Sequence, residues 1–510
     1  MKDVKMQGWI EIAKKAKQFA EQNALAHLDA DRWLMRSMAS FIELSAARYP
    51  LDPGAQWKAG QALKLMIVGY AGNRNTGADV RVEEMIRQFR FLLGDEHLSL
   101  SILTLNPQWS EGYFRTVKQI QFPKLFPKFL FDTVHAHHGV IAAEGSMFKS
   151  KFANALSTMM VGSLGLASSE QKLAVAYGGE AGAMDAPLEK LVRRYCKHAK
   201  VIVRNTQSAS VLGALGIEST VGTDTAWTFD PAPPEVGQKL LKEKGWDGKR
   251  PVLTVCPING YWWPVRPDLA RAAKLAFNSR RDEDHYASIY FHHGGPDVKE
   301  KQERYLDELA KAVLRIQKEQ DAFVALVGME RLDRKAAEAL AARLSSISPA
   351  LFISDEYDMY SLVSLLRQST WLISSRFHAI VTSMPAQVLS IGVTMDERIA
   401  NLMSDRGEAA LSIDMNAPEL AEKILTQFDY VQQHASQSKT AMAQAVVRNL
   451  KCMGQMGKTF LEALHKQYPD FPISEQLLAK EDPWAFLPEL NDNLKALIKR
   501  YECAEKKEAS

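Results

Sequence analysis

Short apolar runs ending in glycine or a polar residue alternate with helix-period segments along most of this chain, and the alternation occurs twice. LKLMIVGY (63–70), LSLSILTL (98–105), TVHAHHGVI (133–141), KLAVAYGG (172–179), AKVIVRN (199–205) and Ser219–Gly222 read as buried strands of a first series. PVLTVCPI (251–258), YASIYFHH (286–293), FVALVGM (323–329), LFIS (351–354), TWLISSR (370–376) and QVLSIGV (387–393) form a second. Helical patterns such as 80–93, 298–318 and 333–345 separate them. Strand–helix alternation demands parallel sheets covered on both faces, so the expected fold is α/β with two Rossmann-like domains facing a cleft.

Pro231-Ala232-Pro233-Pro234 can neither continue a helix nor donate along a sheet, which makes it the linker. The expected division is a helical extension at 1–60, a first domain at 61–235, a second at 236–403 and a helical region at 404–510. Trp9, Ile10, Ile12 and Ala13, then Leu34, Met38, Phe41 and Ile42, give 1–60 its helical spacing. That extension reads as a dock for a protein partner or as a lid. No internal repeat or low-complexity tract appears.

A chain of 510 residues exceeds one hydrophobic core, and 46% hydrophobic with 24% charged residues excludes disorder. Lys+Arg 63 against Asp+Glu 60 leaves no global field to recruit nucleic acid. A local cationic pocket for a small anion is compatible with that balance. Cys196, Cys256, Cys452 and Cys503 form no CxxC pair, which argues against a zinc site or disulfide framework. No signal core follows Met1, and no apolar run approaches the ~20 residues of a membrane span, so a cytoplasmic protein is expected.

Three segments carry residues suited to chemistry. Gly69–Gly77 follows a buried strand and precedes a helix, so Gly72, Asn75 and Gly77 read either as an anion-cradling loop or as a connecting turn. Arg204 ends a strand, with Ser208 beyond it. It suits a carboxylate or phosphate, or else a surface ion pair. Ser374-Ser375-Arg376-Phe377-His378 runs from a strand straight into a helix, where helix amides, a guanidinium and an imidazole would meet an anion together. Glu144 and Gly178-Gly179-Glu180 read as loops over the cleft, and His293 and Asn259 as cleft-facing hydrogen-bonding residues. Tyr261-Trp262-Trp263 offers flat surface for a sugar, or a local core cluster. His135, His137 and His138 lie along a strand in this reading, but no carboxylate or cysteine stands at helpful spacing, so no metal is expected.

Together these motifs resemble the polysaccharide pyruvyl transferase family. Its G-Y-x-G-x-x-N-x-G loop is matched by Gly69, Tyr70, Gly72, Asn75 and Gly77. Its post-strand arginine, nearby serine and L-G-[IV] step are matched by Arg204, Ser208 and Leu215-Gly216-Ile217, followed by Asp224. Its S-x-R-[FL]-H motif is matched by Ser374, Arg376, Phe377 and His378, and the order agrees over 63–403. The chain departs from the family where Gly77 is followed by Ala78-Asp79-Val80, and in HAHHGVIAAEGSMF.

The resemblance implies a GT-B-like architecture and transfer of pyruvate from phosphoenolpyruvate to two hydroxyls of a sugar or glycan precursor, forming a ketal without a further cofactor. On it, Arg204 and Arg376 take the donor's anionic groups and His378 donates the proton, with Gly72, Asn75, Gly77, Glu144, Ser208, Asp224, Asn259, His293, Ser374 and Ser375 around the substrates. The rival readings are a nucleotide-sugar glycosyltransferase, with Asp355-Glu356 or Asp396-Glu397 on the ribose, and a non-catalytic interaction protein. A homo-oligomer is compatible with all three.

Overall fold

The fold was obtained as a computed structural model, which describes residues 29–143, 145–277 and 284–508. Strands β1 (Leu63–Ala71), β2 (Leu98–Thr104), β3 (Lys118–Gln121), β4 (Gly139–Ala142), β5 (Leu173–Gly179), β6 (Lys200–Val203) and β7 (Ser219–Val221) form one sheet. Its order is β3-β2-β1-β4-β5-β6-β7, and every pairing in it is parallel. Helices cover both faces, so β1 buries every residue except Lys64.

The second sheet repeats the plan. Here β8 (Val252–Cys256), β12 (Phe323–Gly328), β13 (Ala350–Ile353), β14 (Trp371–Ser374), β15 (Leu389–Thr394) and β16 (Ser412–Asp414) run in the order β13-β12-β8-β14-β15-β16, again wholly parallel. Both lobes are therefore doubly wound Rossmann-like units. Their strand order reverses between β1 and β4 and between β8 and β14, the places where such sheets open a crevice at the strands' carboxyl ends.

Two expected strands differ. TVHAHHGVI is a helix, Pro127–His135, that turns into β4 only at Gly139. Pro127 starts it, and Leu130 and Val134 bury one face at a spacing of four, a helical period that outweighs β-branching. His135 leaves this helix to meet Glu170 and Asp52, both at 3.0 Å, so the three histidines share no strand. YASIYFHH supplies no strand to the main sheet. It forms β10 (His285–Ala287) and β11 (Tyr290–Phe291), which pair antiparallel with each other; β11 also pairs with β9 (Arg266–Pro267).

Part of the N-terminal extension lies outside the described residues; the rest forms the helix Ala30–Arg48, whose Leu34, Met35, Met38 and Ile42 pack on the first lobe. The C-terminal helix Ala435–Gln467 returns to that lobe. Phe460 lies 4.5 Å from the Phe89 ring, and the Gln88 side chain donates to the carbonyls of Met453 and Phe486, each at 3.1 Å. Across the cleft the lobes meet directly: the Thr76 amide donates to Met329 O at 2.8 Å, and Ser354 Oγ donates to Arg74 O at 2.7 Å.

Candidate active site

The carboxyl ends of β1, β5 and β6 face those of β8, β12, β14 and β15, and the charged residues gather there. At the centre is Asp224, buried beyond β7. Its Oδ2 lies 3.1 Å from Arg81 Nε, 3.2 Å from Arg204 Nη1 and 3.3 Å from His378 Nε2. Arg204 and Asp224 belong to the first lobe and His378 to the second, so this carboxylate bridges the two. Burial works to raise the Asp224 carboxyl, but Arg81, His378 and Arg204 outweigh it and hold it well below the carboxylate range.

Arg204 follows β6 and also pairs with Glu180, while its guanidinium lies 4.7 Å over the Phe377 ring. Burial opposes its charge, and Glu180 and Asp224 more than restore it. His378 sits in the first turn of the helix Phe377–Ser383. Burial pushes its imidazole below the usual range, Asp224 pulls it back, and Arg81 and Arg204 push it down further. The ring packs on Gly77 so closely that an added β-carbon there would stand 2.1 Å from Nδ1. Gly77 has to be glycine for contact rather than for backbone freedom. Gly72 needs both: its φ is +74°, and a β-carbon would come within 3.0 Å of Thr104.

Arg376, two residues beyond β14 at the start of the helix Phe377–Ser383, lines the cleft together with Tyr70, Asn75, Trp263, Tyr286 and Arg398. Nε donates to Asp333 at 2.9 Å, and Nη2 donates to Glu330 at 2.9 Å and to Asp333. Burial works against its charge, and Asp333 and Glu330 more than restore it. Glu330 also accepts from the Tyr70 hydroxyl at 3.1 Å, and Tyr286 donates to that hydroxyl at 2.7 Å. Arg398, beyond β15, pairs with Asp396 at 2.8 Å and lies 4.9 Å over the Phe152 ring.

The expected residues thus separate into groups. Arg204, Asp224, His378 and Gly77 come together, with Arg376 and Asn75 on the cleft wall. Asn75 caps the Thr76–Leu93 helix by accepting from the Ala78 amide at 3.2 Å. Ser208, Ser374 and Ser375 are buried, their hydroxyls engaged with Ala181, with the Arg376 backbone and with Tyr305. Those three serines shape the loops and do not reach the cleft. Asn259 accepts from the Tyr261 amide within its own turn. His293 is exposed instead of cleft-facing, because β11 ends two residues earlier, at Phe291. Its neighbour His292 is the buried one, stacked 4.1 Å from Trp262. Trp263 reaches the cleft wall, 5.3 Å from Phe152. Glu144 lies outside the described residues.

Arg81, Lys149, Glu330, Asp333 and Arg398 were not signalled by any motif. Arg81 is fully buried in the helix after the glycine loop, donating to Ala143 O at 3.0 Å and Gly178 O at 2.8 Å. An arginine four residues after Gly77, within an apolar helical face, was its one sequence pointer. Lys149 joins Glu180 at 3.2 Å to Glu397 at 2.8 Å. Of the carboxylates considered for a nucleotide ribose, Asp355 and Glu356 pair with Arg334, and Asp396 with Arg398. No group of three or more His, Cys, Asp or Glu side chains placed to hold a metal ion occurs among the described residues, and no described helix is long and apolar enough to cross a membrane.

Two Rossmann-like lobes with charged residues from both gathered at one cleft define the GT-B-like class of fold. Within it, residues 182–396 match the polysaccharide pyruvyl transferase family. The match includes Arg204, Asp224, Arg376 and His378, and leaves out the Gly69–Gly77 loop and Arg398. No curated protein matches the chain. Among solved structures, the chain is similar to UDP-GlcNAc 2-epimerase from Neisseria meningitidis bound to UDP-GlcNAc, at 10% identity and TM-score 0.47, covering 79% of this chain and 99% of that one. It is similar to UDP-GlcNAc 2-epimerase from Methanocaldococcus jannaschii, at 10% identity and TM-score 0.47, covering 72% and 92%. A glycosyltransferase from Rickettsia africae ESF-5 aligns at 14% identity and TM-score 0.46, covering 81% and 100%.

Proposed function

We propose that this protein transfers pyruvate from phosphoenolpyruvate to two hydroxyls of a sugar or glycan precursor, giving a cyclic ketal and inorganic phosphate. The single observation that carries the reading is that Arg204, Asp224 and His378 meet in one buried cluster between the lobes while Arg376 lines the cleft, all within the family match.

The donor presents a carboxylate and a phosphate on the same carbon, so it calls for cations that keep their charge in a secluded site. Arg376 and Arg398 are the two arginines on the cleft wall, and each is held in place by carboxylates on its inner edge. We assign the donor's anionic groups to their outer edges. Arg204 acts one layer back, fixing Asp224 and Glu180.

In the reaction the methylene carbon gains a proton and becomes a methyl group. One acceptor hydroxyl then adds to the central carbon, phosphate leaves, and the second hydroxyl closes the ring. Of the two hydroxyl protons released, one replaces that taken up by carbon and the other leaves with phosphate. We assign the proton to His378, which packs on Gly77, two residues beyond Asn75 of the cleft wall. Its imidazole is depressed in the free protein, and an incoming dianion would raise it, charging the acid when the donor is present. Such acid catalysis typically contributes roughly 10²–10⁴ in rate.

A thermal-shift titration with phosphoenolpyruvate tests donor recognition. Saturation at about 100 times the dissociation constant adds about 2.7 kcal/mol of apparent stability. Arg376→Lys should weaken that response, because a point charge replaces a fork fixed on Glu330 and Asp333. A response to sugar nucleotides and none to phosphoenolpyruvate would favour glycosyl transfer instead.

A further inference from the structure

Beside the cleft, and sharing Tyr70, Ala153, Leu156 and Tyr286 with it, runs a second groove. The cleft encloses about 70 Å³ and the groove about 450 Å³. Leu105, Phe122 and Met159 give the groove an apolar lining, and Trp109, Tyr286 and Tyr290 add ring faces with polar edges. A groove of this size, mostly apolar with a few polar groups, has the build of a site for an organic ligand larger than the donor.

Its charge distinguishes it from the cleft. Among the described residues no acidic side chain lines the groove, whereas Lys124 and Arg331 both do. Neither cation has a carboxylate partner among the described residues. Lys124 is exposed; Arg331 lies over Trp109, its Cζ 4.1 Å from the ring centroid, with Nε buried and without an acceptor. The cleft arginines are the opposite case, since Glu330 and Asp333 hold Arg376 and Asp396 holds Arg398. A guanidinium set on an aromatic ring without a carboxylate keeps its charge available to an incoming anion. A separate basic groove, rimmed by Arg32 and Arg194, shares no residue with the cleft, and Asp29 and Glu43 pair with those arginines.

Position ties the apolar groove to the reaction. Trp109 belongs to the first lobe and Arg331 to the second, so the groove crosses the lobe boundary as the cleft does. Glu330, which lines the cleft and pairs with Arg376, is followed directly by Arg331 on the groove. Tyr70 and Tyr286, hydrogen bonded at 2.7 Å, form a wall common to both. We infer that the groove holds the acceptor as a glycan carrying an anionic group, with Arg331 and Lys124 on the anion and the aromatic rings against the sugar faces. That occupant is an acceptor only if the transfer reaction proposed above holds. The anion is a uronate carboxylate or a phosphate, since both suit these two cations.

The test is binding of the full-length protein to an array of uronate-bearing, phosphate-bearing and neutral oligosaccharides, repeated with Arg331→Met and with Lys124→Glu. Anion-bearing glycans should be retained over neutral ones of equal length, and retention should fall at least tenfold in each variant. Which anionic set is retained identifies the source of the charge. Lys124 is exposed, so its variant reports on the groove whether or not Arg331→Met folds. Equal retention of neutral glycans, retention of none, or anion retention unchanged in Lys124→Glu would each overturn the inference. A thermal shift with phosphoenolpyruvate on the unaltered protein separates the groove from the donor site. Glycan retention without that shift removes the donor and leaves the groove site; the shift without glycan retention does the reverse.

Discussion

Gly77 and His378 come from opposite lobes, and the His378 imidazole occupies the space where a β-carbon on Gly77 would lie, 2.1 Å from Nδ1. The second-lobe residue assigned the proton is therefore positioned by a first-lobe residue with no side chain. Gly77→Ala should displace the ring while leaving the helix Thr76–Leu93 intact. Misplacement on the scale of an ångström can cost roughly 10²-fold in rate. Turnover at the level of the unaltered protein, with an unchanged imidazole NMR signal, would show that the contact does not position the ring.

Asp224 is the only carboxylate placed on the His378 ring among the described contacts, and its negative charge favours the imidazolium. Asp224→Asn keeps the shape and removes the charge, so the His378 titration should move to lower pH. Proton NMR across pH 4–8 reads this directly, and a midpoint that stays or rises contradicts the assignment.

Arg81 closes the same cluster from beneath, joining Asp224 to the backbone of Ala143 and Gly178. Arg81→Met should destabilise by about 3–5 kcal/mol, since it leaves a buried carboxylate short of a partner. Arg81→Lys should lose less, because a point charge satisfies part of the network. Urea unfolding of the two variants orders them.

Asp79 lies under the glycine loop, where its Oδ1 accepts the Gly72 amide at 3.0 Å and burial pushes its carboxyl up to about 7. Between about pH 4 and pH 7 the folded chain retains a proton that the unfolded chain releases, so stability falls as pH rises through that window. The effect is on the order of 4 kcal/mol by pH 8. Asp79→Asn should flatten this slope in denaturation curves taken at several pH values.

The sheets were legible in the sequence because parallel strands buried on both faces leave uninterrupted apolar runs, as in Leu63–Tyr70 and Trp371–Ser374. The errors fell where local and tertiary signals disagree. Val134 and His135 look like strand residues, but Leu130 and Val134 bury one helical face. YASIYFHH has strand composition, yet it pairs only with short neighbours beside the main sheet. In the site, Arg204, Asp224 and His378 sat in recognisable motifs at strand ends. Glu330 and Asp333 did not, because each acts through Arg376, a partner distant in sequence, and sequence spacing carries no record of that proximity. Ser208, Ser374 and Ser375 show the reverse: a polar residue in a motif can serve the loop instead of the ligand.

The central claim is that phosphoenolpyruvate is the donor and His378 its acid. The most direct measurement follows phosphate release from phosphoenolpyruvate alongside mass-spectrometric detection of a pyruvylated glycan, for the unaltered protein and for His378→Ala. The account predicts coupled release and ketal formation in the former, and loss of both in the variant while donor binding persists. Ketal formation undiminished in His378→Ala, or no phosphate release with any glycan acceptor offered, would contradict it.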